Sequence, residues 1–425
     1  MEYINKDLGT YKLHMIKTKK FKTIKIRVSF RNKIKKEEIT IRNILSDMLT
    51  YSTKSCKTKR DFNIKVQNLY AATVISSNTR YGNYINTDIT MTVLNDKYTE
   101  KGNYNEAVKF LKEIIYSPNV VKNKFNEEQL ETIKVNVKTS LESLKEDSSY
   151  YSILRLYEEM DDDSPLSYRM CGYIEDLDKI NTSNLYDCYK NMIDKDLMDV
   201  FVIGDIDFTK TEKLIKDNFS LKTFKRNRTE YYLEDKKPRS KKLIVKEQDE
   251  NSQSKLVIGC RTHNITKYER DYPLTLCNII FGGSTESKLF REIREKKSLC
   301  YTISSVPNKL DNVLMIRSGV DKKNIKKAVK YIEDELNKMK KGKFSDEDIV
   351  KAKEYYNTAI ESIEETENGI IETYYMMDLL KLDDIETRVK KMNEVTKADI
   401  VRVAKKIKID TVFCLEGVKE WKKLN

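Results

Sequence analysis

Alternation of apolar and polar residues picks out the strands of this chain first. Residues 21–30 place Ile24, Ile26, Val28 and Phe30 at every second position, the period of a strand with one face on a core. The same reading predicts strands over 8–18, 72–76, 84–94 and 199–204. Helical spacing of apolar residues fills the intervals, over 38–53, 58–70, 105–115, 126–146, 150–160 and 182–192, with a short helix after 204. Beyond residue 242 the plan restarts. Strands are predicted over 242–246, 255–260, 300–305, 313–319 and 411–415. Helices are predicted over 270–281, 286–296, 323–340, 345–364, 368–380 and 397–405.

Two halves on one plan imply an internal repeat. The stretch from Asn68 to Ser77 sits in the first half where Lys297 to Ser305 sits in the second. The expected fold class is therefore α+β: two homologous domains, each a mostly antiparallel sheet covered by helices. Residues 223–241 are charged, contain Pro238 and lack apolar periodicity, so they read as a linker between domains at 1–222 and 242–425.

Composition narrows the setting. A length of 425 residues exceeds one ordinary core and fits two domains. No apolar run approaches the roughly 20 residues of a membrane helix, and Met1–Lys6 shows no apolar leader segment. The seven cysteines include no C-x-x-C pair, which reads as reduced thiols and a cytoplasmic location. The net charge of +13 invites a nucleic-acid reading, but lysines alternate with acids, as in Lys35-Lys36-Glu37-Glu38. The expectation is a solvated Lys-rich surface, with neither nucleic acid nor membrane as a partner.

Candidate chemistry concentrates in two places. The helix from Thr40 to Thr53 has an apolar frame of Ile41, Ile44, Leu45, Met48 and Leu49. In His-x-x-Glu-His zinc helices two histidines at i and i+4 share one face, with a glutamate to take the water's proton. Here those positions hold Asn43, Ser46 and Asp47. Asn is a poor ligand, Ser is no base near neutral pH, and one Asp alone does not hold a transition metal. The chain's only histidines, His14 and His263, lie in different halves beside strands, with no acidic partner at ligand spacing. Asp161-Asp162-Asp163-Ser164-Pro165 lacks an EF-hand's spacing and reads as a loop or helix stop.

The second place runs from Phe281 to Tyr301. Gly282-Gly283 end one helix and Ser284-Thr285 open the next, with no phosphate-loop motif. Leu289, Phe290 and Ile293 are expected to face a core, leaving Arg294 and Tyr301 as a polar pair with reach, or simply as a surface Arg and a strand Tyr.

This segment, with two glycines, Ser-x-Leu-Phe, Arg and Leu-x-Tyr, closely resembles the second-domain signature of the insulinase-like (pitrilysin, M16) metallopeptidases. The helix at 40–53 resembles the same family's zinc helix in frame, including the trailing Met48, Leu49 and Thr53. The likeness extends over nearly the whole length, through Cys171-Gly172-Tyr173-Ile174-Glu175-Asp176-Leu177 and Phe201-Val202-Ile203-Gly204-Asp205. Ser298-Leu299 departs from the commoner Gly-Leu.

The resemblance implies that Arg294 and Tyr301 hold the substrate backbone and steady the tetrahedral intermediate, as hydrogen-bond donors can. It places the family's third zinc ligand at Thr139 or Ser140, so that position too has lost its acid. Glu127, Glu128 and Glu131 fall too early and read as helix N-terminal acids. The implied protein is half of a two-part clamshell, a non-catalytic bacterial member of the YmfF-like branch. It binds no cofactor itself and has no activity alone. A zinc-bearing M16-type subunit would be its partner, a peptide its substrate, and Arg294 and Tyr301 would act in trans. The competing expectation is a catalytically inert peptide-binding or scaffold protein, a homodimer.

Overall fold

The computed structural model describes residues 1–162, 164–219, 235–251 and 253–418. The chain begins β1 (Glu2–Asp7), β2 (Tyr11–Lys17), β3 (Thr23–Lys33), α1 (Lys36–Leu49), α2 (Lys59–Gln67), β4 (Thr73–Tyr81), β5 (Tyr84–Leu94) and α3 (Asn103–Tyr116). A small hairpin, β6 (Val120–Val121) and β7 (Lys124–Phe125), leads to α4 (Glu127–Glu142), α5 (Ser148–Met160), α6 (Ile174–Leu177) and α7 (Thr182–Lys195). Next come β8 (Leu197–Gly204), α8 (Phe208–Phe219), β9 (Leu243–Asp249), β10 (Ser254–Thr262), α9 (Lys267–Asp271) and α10 (Pro273–Asn278). Two π-helical turns, π1 (Ile279–Gly283) and π2 (Phe290–Glu295), precede β11 (Cys300–Asn308) and β12 (Val313–Val320). The rest is α11 (Ile325–Lys340), α12 (Asp346–Ile363), α13 (Glu367–Leu380), α14 (Ile385–Glu394), α15 (Lys397–Lys405) and β13 (Ile407–Gly417).

These elements form two compact units. The first comprises Met1–Ser143, the described part of Arg169–Glu230, and Glu367–Ile371. Its sheet runs β1-β2-β8-β3-β5-β4, antiparallel throughout except where β2 lies beside β8. The alternation in β3 puts Ile24, Ile26, Val28 and Phe30 into a core with Ile44, Leu45, Met48 and Leu49 of α1. Each such buried side chain contributes about 1.5–3 kcal/mol, so its apolar stripe alone is enough to fix α1 on the sheet.

The second unit comprises Leu144–Tyr168 and the described parts of Tyr231–Thr366 and Glu372–Asn425. Its sheet runs β11-β12-β10-β13-β9, with only the β13–β9 pair parallel. This is the order β4-β5-β3-β8-β2 over again, so the repeated plan holds and the α+β class with it. Leu256, Ile258 and Cys260 of β10 face Ile332, Leu336, Ile400 and Val403 of the C-terminal helices. The opposite face presents Val257, Met315, Phe413 and Leu415 to Tyr151, Leu156 and Met160 of α5. A Cβ on Gly259 would lie 2.1 Å from Met160 Sδ, so the Met160 side chain packs in the space this glycine leaves and would have to move for a larger residue. Glu247 of β9 accepts from Arg155 Nε at 2.7 Å and from Tyr151 Oη at 2.9 Å, tying the helix down.

The division read from the sequence, 1–222 and 242–425, differs from these units in two segments. Residues 144–168 group with the second sheet because α5 buries its apolar face there. Residues 367–371 group with the first, where Glu367 accepts from Thr23 Oγ1 at 2.6 Å and Asn368 from Lys25 Nζ at 2.8 Å. Of the linker expected at 223–241, residues 223–234 lie outside the described residues. The part from 235 is anchored, with Arg239 Nη1 donating to Asp410 Oδ2 at 2.7 Å.

Several element boundaries also moved. The strand expected over 8–18 is β2, preceded by a turn at Gly9 (φ +80°) and by β1, which the reading missed. The helix at 38–53 starts at Lys36 and stops at Leu49. The helix at 126–146 closes with a 3-10 turn, Ser143–Glu146, while that at 270–281 is broken at Pro273. The helix α14 was not anticipated.

Candidate functional site

In α1 the residues at the zinc-ligand positions are tied to protein. Asn43 Nδ2 donates to Met170 O at 2.8 Å. Ser46 Oγ donates to Asn43 O at 2.9 Å and accepts from Asn78 Nδ2 of β4 at 3.0 Å. The loop receiving Asn43 is the Cys171-Gly172-Tyr173 stretch. Thr40 Oγ1 accepts from Tyr173 N–H at 3.0 Å, and Gly172 (φ +96°) packs so close to Thr40 that a Cβ would crowd it. Beside this, Arg42 and Asp196 form a buried bidentate pair at 2.7 and 3.2 Å, with Asn32 also donating to Asp196 at 2.7 Å.

Asp47 is the exception among the three zinc-ligand positions of α1, exposed to solvent. Crowding by neighbouring protein raises its carboxyl above the ordinary value, while Lys59 pulls the other way. On α4, Thr139 and Ser140 are exposed, and their hydroxyls return to the helix's own carbonyls, Val135 O and Asn136 O, at 3.0 Å each. Farther along, Thr53 Oγ1 donates to Glu113 at 2.7 Å, which explains this threonine structurally. An amide, two or three hydroxyls and one carboxylate do not fit a zinc centre.

The segment at 281–301 is organised differently. Gly282 passes so close to Ser305 and Leu289 that a Cβ would clash with both. In π2 the Lys296 N–H reaches back five residues to Arg291 O at 3.0 Å. Asp348, at the start of α12, anchors this turn by accepting from Arg291 Nη2 at 2.6 Å and pairing with Lys288 at 3.1 Å. Burial pushes the Asp348 carboxyl up, but these cations and the Ser345 N–H outweigh it and hold it well below the ordinary value.

Arg294 and Tyr301 are brought together. Arg294 Nε donates to Tyr301 O at 2.9 Å, and the guanidinium lies 4.4 Å from the centroid of the Phe290 ring. Phe290 was expected in the core; it is half-buried and serves as the platform for Arg294. Ser298 adopts φ +48°, the left-handed conformation that a glycine takes most readily, so Ser-Leu supports the same kind of turn as Gly-Leu. The ladder between β11 and β12 slips between Cys300 and Thr302, leaving Tyr301 as the extra residue of a bulge. Tyr301 is 53% exposed, its hydroxyl 3.4 Å from Asp321 Oδ1. Both terminal nitrogens of Arg294 lack a partner among the described residues. Sequence reasoning missed Phe290, Asp321 and Asp348; the aromatic four residues before Arg294 was the one available signal.

The two histidines are accounted for separately. His14 is buried, accepting or donating at Nδ1 with Tyr3 Oη at 2.7 Å, stacked on Phe201 and 3.5 Å from Asp199. His263 lies 3.1 Å from Asp235. Both thus have acidic neighbours that spacing in the sequence did not reveal. Asp161 follows the last residue of α5 and pairs with Lys236 and Arg261, while Asp163 lies outside the described residues.

A family model described as peptidase M16 inactive domain matches residues 179–356. The sequence is 30% identical to the probable inactive metalloprotease YmfF of Bacillus subtilis (strain 168), over 98% of this chain and 99% of that protein. It is 24% identical to the uncharacterized zinc protease YmxG of the same organism, over 49% of this chain and 54% of that protein. Among solved structures, a conserved protein from Enterococcus faecalis V583 matches with a TM-score of 0.88 at 28% identity, covering 99% of this chain and 100% of the other. A peptidase M16 inactive domain from Pseudomonas fluorescens matches over the whole of both chains with a TM-score of 0.80 at 15% identity, a likeness of fold.

Proposed function

The chain belongs to the peptidase M16 family, among its non-catalytic members, and from that premise we propose that it is the inert subunit of a two-part zinc peptidase. A zinc-bearing M16-type partner supplies the metal, its activated water and the general base. This chain supplies chamber wall, and Arg294 and Tyr301 as donors to the peptide backbone and to the charge that develops on the attacked carbonyl oxygen. The observation that carries this reading is the pose of that pair. One bond from Arg294 fixes the arrangement; its terminal nitrogens have no partner among the described residues, and the exposed phenol makes only a 3.4 Å contact with Asp321 that a ligand would have to displace. All seven cysteines are unpaired, as a reducing cytoplasm would keep them, and no described helix is long and apolar enough to cross a membrane.

The test is co-expression with a zinc-bearing M16-type subunit, followed by metal analysis and a peptide-cleavage assay of the purified complex. Arg294→Ala and Tyr301→Phe should each lower turnover by about 10²–10³-fold, the usual effect of removing an oxyanion donor, while the complex still assembles. Unchanged turnover in both variants would sink the assigned roles. Stoichiometric zinc and chelator-sensitive cleavage by this chain alone would sink the division of labour.

One feature favours the second reading, an inert peptide-binding or scaffold protein. No strand among the described residues pairs with the outer edge of β4, where Ile75 is 61% exposed, so an extended peptide could add there as a further strand. Peptide binding by a homodimer, with no partner subunit in the native cell, would support it.

A further inference from the structure

We propose that a cavity on the α5 face of the second sheet is a carboxylate subsite, taking the C-terminal carboxylate of a bound peptide. The peptide assignment rests on the reading above; the carboxylate chemistry does not. The cavity, of about 290 Å³, is bounded by Ser149 and Ile153 of α5, Lys255 of β10, Thr302 and Ser304 of β11, and Arg317 of β12. Two cations and no acid line it. The acids nearby, Glu146 and Asp147, belong to an adjoining depression that shares only Ser149 and Lys255 with it. Asp147 is itself occupied in capping α5, accepting from the N–H groups of Ser149 and Tyr150.

Both cations are available. Lys255 Nζ donates to Gln253 Oε1 at 2.7 Å, and Arg317 Nε to Ser304 Oγ at 3.1 Å; neither has an ion-pair partner among the described residues. What sets this pair apart is that both cations line one cavity to which no acid contributes. The Ser304 bond fixes the plane of the Arg317 guanidinium, and its terminal nitrogens form the fork that matches a carboxylate. The hydroxyls of Ser149 and Thr302 add further donors, and Ile153 offers an apolar wall for the side chain that accompanies the carboxylate.

Location connects the cavity to the peptide. Thr302 and Ser304 directly follow Tyr301 on β11, so at about 3.3 Å per residue the cavity opens within roughly 10 Å of the Tyr301 bulge. A peptide engaged at Arg294 and Tyr301 would reach it within a few residues.

The direct test titrates N-acetyl-leucine and N-acetyl-leucinamide into the full chain at low ionic strength, followed by calorimetry. The acid should bind at least about tenfold more tightly than the amide, and Lys255→Gln/Arg317→Gln should remove at least about tenfold of the acid's affinity. Thermal unfolding of the double variant verifies that it folds. No binding of the acid, equal binding of acid and amide, or an unchanged affinity in the folded double variant would overturn the site. A second arm compares fluorescent peptides: one with a free C-terminus, one amidated, and one amidated with an internal Asp. Preference for the free acid supports the C-terminal assignment; preference for the Asp peptide overturns it in favour of a side-chain carboxylate. Binding of N-acetyl-leucine without binding of any peptide would overturn the peptide reading while the carboxylate site stood.

Discussion

Helix α1 and the turn from π2 into β11 both carry polar side chains at the candidate positions, and they use them in opposite ways. In α1 the polar atoms of Arg42, Asn43 and Ser46 point into protein. Asn43 and Ser46 are bonded to Met170 O and Asn78, and Arg42 is locked to Asp196. In the turn, one bond from Arg294 to Tyr301 O fixes the pose, and the terminal nitrogens have no partner among the described residues. Residue identity alone does not separate these cases, since an Arg appears in both. Where each donor ends is what distinguishes the two regions.

The largest effect should come from attacking α1 as a structural element. Arg42→Ala leaves the Asp196 carboxylate buried without its partner, a change that typically destabilises by about 3–5 kcal/mol. Urea unfolding of the chain reads this directly. A loss below about 1 kcal/mol would mean that α1 is not held by this pair and that the contrast with the turn is overdrawn.

A smaller loss is expected from Asp348→Asn, which removes the anchor beneath π2. Charge-assisted bonds of this kind contribute about 1.5–3 kcal/mol in total when partly buried. The sign with pH follows from its depressed carboxyl. The folded value lies below the ordinary 3.8, so the contribution is present above pH 3.8 and is lost as pH falls through the folded value. Wild type should therefore exceed the variant in stability at neutral pH, with the gap closing in acid. A gap that widened in acid would contradict the assignment.

Smaller again is Ser298→Gly. A side chain at φ +48° is strained, and relief of that strain is partly offset by the extra freedom glycine gives the unfolded chain. The net gain should be about 0.5–1 kcal/mol, read as a higher melting temperature with the Arg294–Tyr301 geometry intact. A lower melting temperature would mean that Ser298 contributes contacts outweighing its strain.

The repeated strand-and-helix plan was legible because period-two alternation survives wherever one sheet face is buried, as in Ile24 to Phe30. The Arg294 and Tyr301 pair stood out only through the family likeness of the segment around it; its spacing alone left a surface Arg and a strand Tyr as an open reading. The placement of α5 was not, because its apolar face looks the same whichever sheet it covers; only Gly259, opening space for Met160, carried a trace of it. Nor could spacing reveal the bond partners of Asn43 and Ser46, which arrive from a loop at Met170 and a strand at Asn78. The bulge at Tyr301 was hidden for the same reason, since a slip in register belongs to two strands at once.

Asp47 gives the finest test of the comparison, since of the three residues at the zinc-helix positions of α1 it is the one exposed to solvent. If it were a remnant ligand, some cation or donor would stabilise its charge. Instead, crowding by the surrounding protein raises its carboxyl above 3.8, and Lys59 only partly offsets this. A raised acid stabilises the fold fully below its unfolded value and loses that contribution as pH rises through the folded one. The charged form at neutral pH is thus a small burden on α1, the reverse of Asp348. Asp47→Asn should melt slightly higher than wild type at pH 7 and indistinguishably from it near pH 3, with zinc causing no shift in either protein. A lower melting temperature at pH 7, or a zinc-dependent rise that the variant lacks, would return Asp47 to the ligand class and erase the contrast between the two regions.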